Sequence, residues 1–126
     1  MKHFKIEDKI FKTETLFIIG NYTEANIYFK KRFGLETSLG ELEIGSVIKV
    51  GEDKKETFFR VVWLADLKDI PCLIHELFHL VVRICQDKGV PIRSNIETGE
   101  CGDETAAYLL EFYVEEFMKK IKKKPL

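Results

Sequence analysis

The residues best equipped for chemistry stand together as His75-Glu76-Leu77-Phe78-His79, a stretch holding two of the chain's three histidines. On a helix a spacing of four residues advances about 400°, so both imidazoles leave one face a single turn apart, within reach of one ion. Neutral imidazole nitrogens at that separation suit Zn2+, and Glu76 beside them could hold water at the ion and accept its proton. The bland alternative is a pair of hydrogen-bonded core histidines. It must bury two imidazoles and a carboxylate, which is costly unless each finds its own partner. One cation would satisfy all three groups together.

A catalytic zinc usually takes three protein ligands and keeps a fourth position open. Val82 and Cys85 stand where an HExxHxxGxxH spacing would put Gly and His, so no third histidine follows on the same helix. An acid on a neighbouring element must serve, and Asp103-Glu104-Thr105-Ala106-Ala107-Tyr108 offers one. Glu104 is the expected third ligand. Asp103 is a rival ligand or a helix cap, and Glu97 and Glu100 are more remote candidates. Ala106 and Ala107 are small enough for close helix packing, while Glu104, Tyr108 and Glu111 fall at i, i+4 and i+7 on one face. Tyr108 would donate its phenol to a developing oxyanion or, as the plainer reading, sit half-buried in the core.

The elements that must position these groups follow from pattern. The HExxH segment belongs to a helix capped by Asp69, with Pro71 in its first turn and its end near Lys88-Gly89. Ile70, Leu73, Ile74, Leu77, Phe78, Leu80, Val81, Val82 and Ile84 wrap most of its circumference, so it is expected to be central and buried. Thr57 to Ala65 (TFFRVVWLA) reads as a substantially buried strand. Lys9 to Ile19 reads as one strand or a short hairpin, closed by Gly20-Asn21. Thr23 is the expected cap of a helix running to about Phe33, with Ile27, Tyr28 and Phe29 on its apolar side and Gly34 as its stop. Short strands and turns, one turn near Gly51-Glu52-Asp53, are expected between Leu35 and Lys55. A loop from Val90 to Gly102 leads to a last helix from about Asp103 to Lys123, whose apolar stripe includes Ala107, Leu110, Tyr113, Val114, Phe117 and Ile121.

The 126 residues, 45% of them apolar, suit one compact α+β domain: a small twisted sheet packed on a central metal helix, with the last helix bringing Glu104. Lys plus Arg number 20 against 21 Asp plus Glu, without the basic excess that phosphate neutralisation needs, so nucleic acid is not an expected partner. The lysines from Lys119 to Lys124 read as a solvated helix end that complements the helix dipole. No apolar run approaches the ~20 residues of a membrane span, and the opening residues lack a signal-peptide core, so a soluble, cytoplasmic protein is expected. Cys72, Cys85 and Cys101 are odd in number and lack CxxC spacing, which argues for reduced thiols rather than disulfides or a thiolate zinc site.

The two motifs together, IHELFHLVVRICQDKGV and DETAAYLLEF, resemble the small HExxH metallopeptidase-like proteins encoded in phage and prophage genomes, where HExxH is followed by DExxAY. The likeness extends more weakly to the Ile/Phe-rich opening, the KKRFG helix end and the FFRVVWL strand. More broadly the chain is similar to zincin peptidases of the gluzincin type, whose third ligand is a Glu on a later helix. The resemblance implies a zinc-dependent peptide hydrolase with His75, His79 and Glu104 as ligands and Glu76 as general base. It implies a peptide or protein substrate, and a place in the host cytoplasm or with the virion. At 126 residues the chain has no room for the second subdomain of large gluzincins. In those enzymes an edge strand pairs with the extended peptide, and Phe59 to Leu64 is the expected counterpart, or, as the plainer reading, an ordinary core strand. The alternative is a phage structural or regulatory binding module whose metal site is structural or vestigial.

Overall fold

A computed structural model of the protein describes residues 1–52, 58–92, 94–95, 100–101 and 103–122. Strands β1 (Lys2–Glu7), β2 (Glu14–Ile19), β3 (Gly45–Glu52) and β4 (Phe58–Leu64) form one mixed sheet in the order β1-β2-β4-β3. β1 runs antiparallel to β2, β2 parallel to β4, and β4 antiparallel to β3. Helices α1 (Tyr22–Phe33), α2 (Ile70–Asp87) and α3 (Asp103–Lys122) complete an α+β fold, and the two-residue strands β5 (Ser94–Asn95) and β6 (Glu100–Cys101) pair between α2 and α3.

β2 and β4 are continuous apolar runs because both faces of the sheet are covered. Leu16, Ile18, Val61 and Trp63 point to one side, where Ala25 and Phe29 of α1 meet them. Phe17, Ile19, Val62 and Leu64 point to the other, against Leu73, Leu77, Leu80 and Ile84 of α2 and Leu109, Tyr113 and Phe117 of α3. Full burial of each large apolar side chain contributes roughly 1.5–3 kcal/mol before the entropy of ordering it.

Local chemistry sets the element ends. Asn21, rather than Thr23, caps α1: its side chain accepts from the Glu24 amide at 2.8 Å while Glu24 accepts from the Asn21 amide, a reciprocal box that Thr23 could not make two residues later. Gly34, in the left-handed region at φ 64°, stops the helix as expected. Of the residues expected on the apolar side of α1, Phe29 is fully buried but Ile27 is 61% exposed, and Ala25 takes the buried place beside Phe29. Asp69 caps α2 through the Cys72 amide at 3.0 Å, with Pro71 in the first turn.

The opening hairpin starts earlier than expected, at Lys2. Its turn is organised by Asp8, 1% exposed, whose carboxylate accepts the amides of Phe11 and Thr13. The Tyr113 hydroxyl also donates to Asp8, at 3.4 Å, and lies 3.3 Å from Thr15 Oγ1, tying α3 to this turn. Among the described residues, the region expected to hold several short strands carries one eight-residue strand, β3, which runs through Gly51 with a register shift between Lys49 and Gly51; Asp53 of the expected turn lies outside the described residues. The loop expected from Val90 to Gly102 contains the β5–β6 pair. Within the last helix Tyr113 and Phe117 are buried as expected, whereas Ala107 is exposed and Leu109 occupies the core.

Two further expectations are overturned. β4 has partners on both sides, β2 and β3, so its backbone hydrogen-bonding groups are committed and Phe59 to Leu64 cannot receive an added strand. The sheet edge beside α2 is β3. α2 is also not wrapped all round: Ile70, Ile74, Phe78 and both motif histidines are exposed, which leaves one long face open.

Candidate metal centre

The four-residue step puts His75 and His79 on the open face of α2, as the helix pitch requires. Their Nε2 atoms face each other at 3.1 Å, with the rings nearly perpendicular at 78° and centroids 4.7 Å apart. Two nitrogens each about 2.0–2.1 Å from a tetrahedral ion would stand ~3.3 Å apart, so the pair is within a few tenths of an ångström of the spacing one ion needs. In the absence of an ion only one Nε2 can carry the shared proton, because the other must accept it.

Glu76 points the other way round the helix, toward β3, and is only 6% exposed. Among the described residues its carboxylate accepts no hydrogen bond. The basic nitrogen within 4 Å of it is His75 Nε2, at 3.9 Å from Oε1. Burial holds its pKa above the ordinary carboxylate range, and the two histidines pull it partly back. The residue is largely buried but its oxygens are not sealed from water, so water or a cation beside the imidazoles can complement them.

The donor atoms of His75, Glu76 and His79 all lie within 4.8 Å of one another, and this group could hold a metal ion. Two imidazoles and a carboxylate are a donor set that suits borderline divalent ions. Glu104 is exposed in the first turn of α3 and is not part of this group; Tyr108, one turn on, is 60% exposed rather than half-buried. Asp103 begins α3 and is likewise outside the group. Glu97 and the side chains of Glu100 and Cys101 lie outside the described residues.

The wall on the β3 side was not legible from the motif. Ile44, Gly45, Asp69, Pro71, Cys72, His75 and Glu76 line a hollow of ≈ 350 Å³. Gly45 is what lets the strand come so close. A Cβ there would stand 2.7 Å from Cys72 Sγ, 2.9 Å from Glu76 Cγ and 3.2 Å from the Trp63 carbonyl oxygen. The Cys72 thiol donates to the Ile44 carbonyl at 3.3 Å, and burial, with Asp69 and Glu76 adding to it, raises its pKa, so the thiol stays protonated. The available signal was a glycine opening an apolar strand, a common mark of close backbone approach. Cys72 and Cys85 are buried free thiols, in agreement with the sequence. Among the described residues no helix is long and apolar enough to cross a membrane.

Comparison with protein-family models, with curated proteins and with solved structures gives no match to this chain.

Proposed function

We propose that the chain is a minimal zincin-like, zinc-dependent peptide hydrolase. The observation that carries this reading is a pair of imidazole nitrogens spaced for one ion, with the carboxylate of the largely buried Glu76 within 4.8 Å of them. Its likeness to the phage-encoded HExxH–DExxAY proteins supports the same conclusion. His75 and His79 would hold the ion; Glu104 of α3, the third ligand that the resemblance implies, and its rival Asp103 stand outside the cluster in this structure, so either would complete the shell only by moving toward the imidazoles. When bound, the ion supplies Lewis acidity, polarising a peptide carbonyl and acidifying water.

Glu76 is the general base. It takes a proton from water as the new C–O bond forms, and passes it to the departing amine nitrogen as the C–N bond breaks. Its burial suits it to hold that proton between the two events, since desolvation favours the neutral carboxyl. Tyr108 would donate to the oxyanion. β3, as the edge strand beside α2, takes the role of pairing with an extended peptide that the sequence had suggested for β4.

The test is the Glu76→Gln variant, with zinc-loaded protein incubated with a peptide library and products read by mass spectrometry. The wild type should generate new termini, and the variant should bind one equivalent of zinc and generate none. Equal turnover by both proteins would remove Glu76 from the chemistry. Zinc uptake by the wild type without any cleavage would favour the binding module with a structural ion.

A further inference from the structure

We infer that the site selects peptides by a large apolar side chain next to the metal-bound group, and that Ile74 and Phe78 form the wall that reads it. The inference rests on the metal-site reading above and extends it to substrate class. On α2 each motif histidine is preceded by an apolar residue, Ile74 before His75 and Phe78 before His79. Residues 74 and 78 are i, i+4 partners, so they form a second row beside the histidine row, about 100° around the helix. Glu76 and Cys72 occupy the opposite flank, toward β3. The imidazole pair therefore lies between a carboxylate side and a hydrocarbon side.

That hydrocarbon is not core. Phe78 is 55% exposed and Ile74 38%, although the rest of α2 buries its leucines completely. A scattered exposed Leu or Ile needs no explanation, but two apolar side chains one helical turn apart beside a candidate metal site form an apolar row, and Ile44, 55% exposed, stands separately at the hollow on the other flank. Exposure of this kind is unfavourable for the unliganded protein, and it is relieved by a ligand that brings its own apolar side chain to the helix surface. Charged or small side chains at that point would leave Phe78 in water and gain nothing from it.

The test uses protein loaded with Co2+, whose visible absorption reports its ligands, titrated with hydroxamates of leucine, phenylalanine, glycine and aspartate. The leucine and phenylalanine compounds should bind at least about tenfold more tightly than the glycine compound, and aspartate more weakly still. Phe78→Ser should cut that preference to about threefold or less while leaving Co2+ stoichiometry and the ligand-free spectrum unchanged, and Phe78→Leu should keep it. Because residue 78 is exposed, neither variant should impair folding. Equal affinities across the four compounds, or a preference untouched in both Phe78→Ser and Ile74→Ser, would overturn the inference and leave the metal reading intact. Failure of the wild type to take up Co2+ would overturn the metal reading, and this inference with it.

Discussion

Replacing Gly45 by alanine inserts a single methyl group where β3 meets α2, and its consequences can be worked from three contacts. The new carbon would lie 2.7 Å from Cys72 Sγ and 2.9 Å from Glu76 Cγ, both closer than real Cβ contacts, and 3.2 Å from a backbone oxygen of β4 that has little freedom to retreat. Either β3 moves off the helix or Cys72 and Glu76 leave their rotamers. Overpacking of this kind costs about 1–3 kcal/mol. With an unfolding entropy of roughly 2.1 cal/mol/K per residue, that corresponds to a fall in Tm of about 4–11 °C for a chain of this length. Thermal and urea unfolding of the metal-free protein would measure it. Cys72→Ala removes the nearest clashing atom, so the double variant should recover at least about 0.5 kcal/mol beyond additivity, with the Glu76 contact keeping recovery incomplete. A Gly45→Ala protein as stable as the wild type, or strictly additive effects of the two changes, would refute the close approach of strand and helix.

The buried Glu76 carboxyl gives a pH prediction. Its folded pKa is raised, so between its ordinary value of 4.5 and the raised one the folded state binds more protons than the unfolded state, and stability falls as pH rises through that window. Metal-free Glu76→Gln should therefore match the wild type most closely below pH 4.5 and exceed its stability at pH 7, as urea unfolding at the two pH values would measure; a variant whose stability relative to the wild type falls as pH rises contradicts the raised pKa. His79→Ala removes an exposed imidazole and should leave metal-free stability within about 0.5 kcal/mol while zinc in dialysed protein drops below stoichiometric; one full equivalent of zinc would reject His79 as a ligand. Tyr113→Phe deletes the hydroxyl shared by Asp8 and Thr15 and should cost about 1 kcal/mol, seen as a Tm lowered by about 4 °C, with no change in zinc affinity.

The helix that carries the motif was readable because its signals are local. Asp69, Pro71 and the apolar run fix its start and length, and four-residue spacing alone places the two histidines on one face. The β4 core was equally plain from FFRVVWL. What the sequence withheld depends on partners distant in the chain. Apolar density in Ile70, Ile74 and Phe78 looked like burial all round, since composition cannot tell an unpartnered apolar row from a packed one. The resemblance gave the edge to Phe59 to Leu64, because strand order is set by which strands pair and the stretch that holds Gly45 and Gly51 read as short strands and turns rather than as one strand, β3. The Asn21 cap displaced Thr23 through its reciprocal bond with Glu24, a competition decided by two residues of register. The acid on α3 was chosen by motif and helix face alone, and Glu104 stands outside the cluster that His75, Glu76 and His79 form.

X-ray absorption at the zinc edge, recorded on protein purified without chelators and reconstituted with one equivalent of Zn2+, addresses that cluster by itself. The expected spectrum shows one ion with two imidazole nitrogens and the remaining positions filled by oxygen, and loses imidazole scattering in both His75→Ala and His79→Ala. A spectrum dominated by sulfur, an ion whose surroundings are unchanged in those variants, or protein that retains no zinc would show that the facing imidazoles serve some other purpose.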